Sequence, residues 1–420
     1  MRSTDTAISA RDRLSPGGRR WILGVCLLTL SVLVADTTAA EKPRPRRFIY
    51  NSDGNHMYYY KTPPMSVADL QGYVDEVVGT GVTTFFASPN WGMPMAYPSQ
   101  VTEMIGSQLS EKQLAEYREI GATKEISTER AFTNYYAIYN SGHDPFGVMI
   151  ERAREQKLEV FVSYRPNEIH DVQNADSLIV TKFWRDHPQW RVGKIGDEIS
   201  PVFAEIIGGR KDHPVHPIVA SWFPGALNFA IPEVRAQRLA ELRECCERYP
   251  IDGLDIDFQR FPIFFPQDEG PKHRETMTAW MREVRAMTRD VGTQRGRPLL
   301  LSARVMARPR QNLAIGLDPV TWANEGLIDF IEVSHYLRND FPLPISEYRK
   351  LLPEQLPIYA SIEVEKKDDT YRRIARQLYD EGVDGLMMFN YFTRREGGRE
   401  PDFSLFRELS DPDRLKPVEP

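Results

Sequence analysis

Between Tyr249 and Pro262 the chain reads YPIDGLDIDFQRFP, in which two aspartates and a glutamine recur at every second position among apolar residues. Successive side chains of a strand face opposite sides, so Asp255, Asp257 and Gln259 share one face and Leu254, Ile256 and Phe258 the other. A parallel strand buried on both faces is normally a near-continuous apolar run, and ionised carboxylates there are costly unless paired or used. The acidic face is therefore either a buried salt-bridge network or a site of acid chemistry.

The same parity collects polar residues elsewhere. Asn51 and Asp53, Ser302 and Arg304, Glu332, Ser334 and Tyr336, and Tyr359, Ser361 and Glu363 each fall opposite an oily face. Hydrolysis of a glycosidic bond needs such a set: one protonated carboxyl to give a proton to the leaving oxygen and one carboxylate to attack or to activate water. Asp257 and Glu363 are the expected catalytic pair, with Asp255 as the third acid. Either member can be the acid: Asp257 if it is desolvated beside a second carboxylate, Glu363 in the reverse arrangement. Arg304 is placed to hold Asp255 or Glu332 ionised, Gln259 to support the pair, and Tyr336 either to orient a carboxylate or to fill core.

These residues need a scaffold that brings many strand ends together. Eight compact apolar runs are expected as strands: 48–53, 82–88, 158–164, 253–259, 299–305, 330–336, 358–363 and 386–391. Amphipathic segments between them (66–78, 145–156, 232–248, 275–290, 319–325 and 370–381) read as helices. Eight alternations predict an α/β fold of the (β/α)8 TIM-barrel type over residues 47–409, with long loops after strands 2 and 3, at 89–144 and 165–229. Loops leaving the C-terminal strand ends build barrel active sites, so both are expected to wall a cleft.

Their aromatics (Trp91, Tyr97, Tyr135, Tyr136 and Tyr139; Trp184, Trp190, Trp222 and Phe223) suit stacking on sugar rings or a mini-core of the loops themselves. Expected substrate-binding residues are Asp53, Trp91, Arg165, Asn167, Asn390 and Tyr391, with Asn390 alternatively a turn residue. Arg260, directly after the acidic strand, reads as a substrate clamp or a structural counter-ion. A metal site from Asp53, His56, Asp255 and His335 is disfavoured: the first strand lacks an H-x-H pair and parity turns His335 toward the helices. His213 and His216, in a proline-rich loop, read as solvent-exposed. No metal and no cofactor is expected.

With a net charge of −6 and no large basic cluster, the composition argues against nucleic acid as a partner. Arg11, Arg13, Arg19 and Arg20, an apolar run from Trp21 to Ala35 and small residues up to Ala40 form a signal-peptide pattern over 1–40. The run is short for a membrane span, which predicts an exported protein, periplasmic or extracellular, with no membrane association after cleavage. Arg19-Arg20 leaves twin-arginine export open beside a plain basic leader. Residues 41–46 read as a linker and 410–420 as a polar tail. Cys26 falls in the leader; Cys245 and Cys246 are neighbours on a helix, where side chains diverge too far for a bridge, and Cys246 continues an apolar stripe.

The segment from Asp252 to Phe258, DGLDIDF, resembles the fourth-strand DGxDxD motif of family 18 chitinase-like glycoside hydrolases, with Gln259 at the position of their catalytic glutamate. Glutamine cannot donate a proton as glutamic acid does, so that resemblance also admits a lectin-like, non-catalytic carbohydrate-binding barrel. The longer run LNFAIPEVRAQRLAELRECCERYPIDGLDIDFQRFP, with RFIYNSDGN and FPIFFP, is similar to bacterial barrels of the glycosyl-hydrolase-like family 10 group. This likeness implies a barrel and a polysaccharide or oligosaccharide substrate.

Overall fold

The computed structural model describes residues 44–208, 217–339 and 341–417; the leader, His213 and His216 lie outside them. Eight strands, β1 (Phe48–Ser52), β2 (Thr84–Ala87), β3 (Glu159–Tyr164), β4 (Gly253–Asp257), β5 (Leu300–Met306), β6 (Phe330–Ser334), β7 (Ile358–Ile362) and β8 (Gly385–Met388), pair in parallel in chain order, and β8 closes on β1. This is the expected (β/α)8 barrel. Each predicted strand is present, but several end early. β4 stops at Asp257 because its own carboxylate takes over as acceptor: Oδ1 receives the backbone N–H groups of Gln259 (3.1 Å) and Arg260 (3.0 Å), an Asx-type turn. Gln259, and likewise Tyr336 beyond β6, therefore sit in turns at the mouth rather than on strands.

The barrel is filled in layers. Near the N-terminal ends, Ile49, Phe86, Phe161, Phe330, Tyr359 and Met387 form an apolar plug. It is tight: a Cβ on Gly253 would lie 2.1 Å from the Phe161 ring, so glycine there is a packing requirement. Below the plug, Arg47 closes the barrel by donating twice to Glu159 (2.6 and 2.8 Å) and once to Tyr359 Oη (3.0 Å). Above it come the polar side chains of the inward parity. Outside, helices cover the strands, among them Pro232–Arg248, with its predicted bounds and proline in the first turn, where a missing N–H costs nothing. Cys245 and Cys246 are buried free thiols on that helix.

The two long connections fold into helical pieces of their own, including Glu111–Thr123 and Thr128–Asn140 in the first and Pro201–Gly208 in the second. In the segment read as a linker, Arg44 pairs with Asp384 (2.5 Å) and Arg46 with Asp411 (3.9 Å). Among the described residues no helix is long and apolar enough to cross a membrane.

Candidate active site

Register places the acids next to one another. Ser163 of β3, Asp255 of β4 and Ser302 of β5 are lateral neighbours, as are Asp257 and Arg304 one inward step higher. Both serine hydroxyls donate to Asp255, Ser163 to Oδ2 (2.6 Å) and Ser302 to Oδ1 (3.1 Å). Burial nevertheless pushes the Asp255 carboxyl up to about 7, helped by the charge of Asp257 and opposed by the two hydroxyls. Beside it Glu332 is fully buried and neither of its oxygens has a hydrogen-bond partner. Burial, then the neighbouring Asp255, drives its pKa well up at the centre of the barrel.

One guanidinium organises the layer above. Arg304, buried and lying 3.7 Å from the centroid of the Phe389 ring, approaches Asp257 through Nη1 (3.3 and 3.4 Å) and Glu363 through Nη2 (3.0 Å). The predicted pair is therefore bridged by a single side chain. Asp257 also takes the two backbone N–H groups of its turn, a donor set that suits an acceptor. Glu363 has fewer donors: apart from Arg304, among the described residues only the Asn390 amide reaches it, at 3.5 Å. Burial pushes the Glu363 carboxyl up to about 7 against the opposing charges of Arg304 and Arg260. Gln259 donates its amide to Ser334 Oγ (2.6 Å), and the buried Tyr336 hydroxyl has no partner.

A cleft of about 1030 Å³ opens over this layer, lined by Asp53, Arg165, Arg260 and Asn390 from the strand ends and by residues of both long connections. Arg165 forms ion pairs with Asp53 and with Glu168 (3.4 Å). Burial would raise Glu168, but the adjacent His170, then Arg165 and Arg260, outweigh it and hold the carboxyl well below its ordinary range.

Two expected binding residues, Asn167 and Tyr391, do not line the cleft, and a third lines it while largely buried. Asn167 is buried and locks the loops, donating to the carbonyls of Leu227 (2.9 Å) and Ile263 (2.5 Å) and accepting from Leu227 N (2.9 Å). Tyr391 points away from the mouth into a cluster with Tyr371, Phe403 and Phe406, because the chain turns after Asn390 (φ +56°) and reverses the strand parity. Trp91 touches the cleft but is only 2% exposed, stacked on Tyr58 (5.5 Å, 3°) and edge-on to Tyr135. The loop aromatics Tyr97, Tyr135 and Trp184 are buried as well, so most of that group is mini-core.

The open aromatic wall comes instead from Tyr59 and Tyr60, on the short helix Met57–Tyr60 after β1, and from Tyr117. Its sequence signal was the run MYYY directly behind a strand end. His170 was also missed; it sits in the loop after Arg165 and reads as an ordinary polar loop residue until Glu168 and Arg260 are seen on its two ring nitrogens.

No protein-family model matches the chain, and no curated protein matches it. Among solved structures, the glycoside hydrolase domain of PgaB (BpsB) from Bordetella bronchiseptica aligns over 88% of this chain and 99% of its own, with a TM-score of 0.50 and 10% identity. A family 18 N-acetylglucosaminidase from Paenibacillus barengoltzii aligns over 86% and 100% (TM-score 0.42, 10% identity), and the maltogenic α-amylase AmyB from Thermotoga neapolitana over 87% and 75% (0.44, 12%). At these identities the shared property is the barrel fold.

Proposed function

We propose that the chain is an exported glycoside hydrolase that cleaves a polysaccharide or oligosaccharide with two carboxyl groups. One observation carries this reading: Asp257 and Glu363 meet on a single guanidinium at the C-terminal mouth of the barrel and are bonded to Arg260 and Asn390, which line a large cleft there, where barrel enzymes place their chemistry. The PgaB domain, which shares the fold, is a glycoside hydrolase domain by name; the acids, not that likeness, assign the role here.

The surroundings divide the labour. Glu363, raised to about 7 by burial, is protonated in a substantial share of molecules at neutral pH, and that form gives its proton to the leaving oxygen. Asp257, surrounded by donors, acts from the other side as base or nucleophile. As the glycosidic oxygen takes up the proton, Arg304 stabilises the carboxylate left on Glu363. Asp255 and Glu332, a layer deeper and fully buried, tune the electrostatics of this pair.

A carbohydrate-binding barrel without turnover is the second reading, favoured by Gln259, whose amide is committed to Ser334 at the end of β4. Product release from a panel of neutral, amino and acidic polysaccharides by residues 41–420, run beside Glu363→Gln and Asp257→Asn, separates the two. Hydrolysis lost in both variants supports the enzyme. Saccharide binding with no product from the unaltered chain overturns it.

A further inference from the structure

Two arginines at the cleft floor each face two acids. Arg165 faces Asp53 and Glu168, and Arg304 faces Asp257 and Glu363. Arg260 is different. Arg260 lines the cleft, yet among the described residues no carboxylate lies within ion-pairing distance of it. One of its five N–H groups is used, Nη2 donating to His170 Nε2 at 3.0 Å; the Nε–H is buried without a partner.

Several features fix that guanidinium in place. Its backbone N–H is tied to Asp257, and its Cζ lies 4.8 Å from the centroid of the Phe261 ring. Phe261 holds φ at +62°, a conformation that L residues with bulky side chains rarely adopt. Strain of this kind persists where the surroundings over-determine it, commonly at ligand sites. His170 accepts from Arg260 through Nε2 and so turns Nδ1 to Glu168; the imidazole ring is packed edge-on against Phe261 (4.8 Å) and Trp222 (5.5 Å). A second buried donor at the mouth, the Tyr336 hydroxyl, is also without a hydrogen-bond partner among the described residues.

A buried donor without an acceptor costs more than a bond left unmade in water, and a fixed planar guanidinium is matched best by a two-oxygen anion. We infer that Arg260 binds an anionic substituent, a carboxylate or a sulfate, on the sugar beside the bond to be cleaved, so that the substrate class is an acidic glycan. This rests on the saccharide reading of the cleft, but not on turnover.

The test is binding of the full chain, residues 41–420, to matched oligosaccharides: neutral hexose oligomers, their uronic acid counterparts and sulfated forms, measured by calorimetry in low and moderate salt. Tighter binding of the uronic or the sulfated series than of the neutral one by tenfold or more is expected, and which series wins names the anion. Arg260→Gln should abolish the preference and Arg260→Lys restore part of it, with thermal midpoints near that of the parent. Equal affinity for neutral and acidic series, a preference unchanged in Arg260→Gln, or no binding to any series overturns the assignment. Hydrolysis confined to neutral glycans sinks it while leaving the hydrolase reading intact; acidic glycans bound but never cut sink the hydrolase reading and leave this one.

Discussion

The two ends of the barrel interior are each closed by an arginine that reaches carboxyl groups, and they differ in what is left over. At the N-terminal end Arg47 meets one carboxylate in a paired, two-bond contact, and Glu159 is further satisfied by the Thr84 hydroxyl (2.8 Å). Among the described residues, no buried side-chain atom of Arg47, Glu159, Thr84 or Tyr359 lacks a hydrogen-bond partner. At the C-terminal end Arg304 is shared between two acids, a third and a fourth lie unpaired by any cation below it, and donors on Tyr336 and Arg260 go unused. The lower cluster uses charge to fasten a strand; the upper one accumulates groups that are uncomfortable without a ligand or a proton. That contrast, rather than the presence of buried charge, separates a structural network from a reactive site.

The largest effect should fall at the upper end. Glu363→Gln keeps the shape and the Asn390 contact but removes the proton, so turnover should drop about 10²- to 10⁴-fold, the range that general acid catalysis contributes. The thermal midpoint should hold or rise, since a buried acid has been neutralised. A variant with unimpaired turnover would return Glu363 to the structural class. The converse substitution is Arg47→Met at the lower end. It strips Glu159 of its two charged bonds and removes a cation lying 4.7 Å from the centroid of the Phe330 ring, which should cost roughly 1–3 kcal/mol of stability, discounted because Glu159 is partly exposed. Turnover per folded molecule should be unchanged; a loss of rate without a loss of stability would break the distinction.

Much of the upper end was legible in the sequence because strand parity is strict. Asp255, Asp257, Arg304, Glu332 and Glu363 could be assigned to one interior from alternation alone, and the barrel followed from counting strands. Parity fails where strands end. Tyr391 was assigned as though β8 continued, but the left-handed turn at Asn390 sends it outward. Asn167 lies in an irregular loop, where alternation carries no information and only the three-dimensional path shows which carbonyls the amide meets. The status of Trp91 depended on whether the first long connection had a core of its own, and Tyr58, Phe132 and Tyr135, which decide that, come from segments far apart in the chain.

A smaller effect sharpens the comparison through pH. Burial raises Asp255 and Glu363 to about 7, while an unfolded chain ionises such groups near 4. Between those values the folded protein keeps protons that the unfolded chain has released, so stability is greatest at the acid side of this window and falls as pH climbs from about 4 to about 7. The thermal midpoint should therefore be lower at pH 8 than at pH 5.5, by the equivalent of about 2 kcal/mol, since a tenfold change in proton affinity is worth roughly 1.4 kcal/mol and the acids of the cluster partly compensate one another. Asp257→Asn removes the charge that opposes ionisation of Asp255 and Glu363 and should flatten the profile. Arg47→Met, at the other end, should lower the whole curve without changing its slope. A midpoint that rises from pH 5.5 to 8 would mean that the upper acids are ionised and paired like the lower one.

The smallest effect tests how Glu363 is held. Asn390 is the one neutral donor on that carboxyl among the described residues, at the outer limit of hydrogen-bond length, and its left-handed backbone is a conformation that asparagine tolerates better than alanine. Asn390→Gly preserves the turn and deletes only the amide. Because a long neutral bond contributes little, turnover should fall less than tenfold, and the alkaline limb of the rate profile should move slightly upward as the carboxylate form of Glu363 loses a donor. Asn390→Ala adds backbone strain and should lower the thermal midpoint as well. If the glycine variant lost as much activity as Glu363→Gln, Asn390 would be a substrate ligand in its own right rather than a support for the acid, and the upper cluster would extend one layer further into the cleft than its present bonds define.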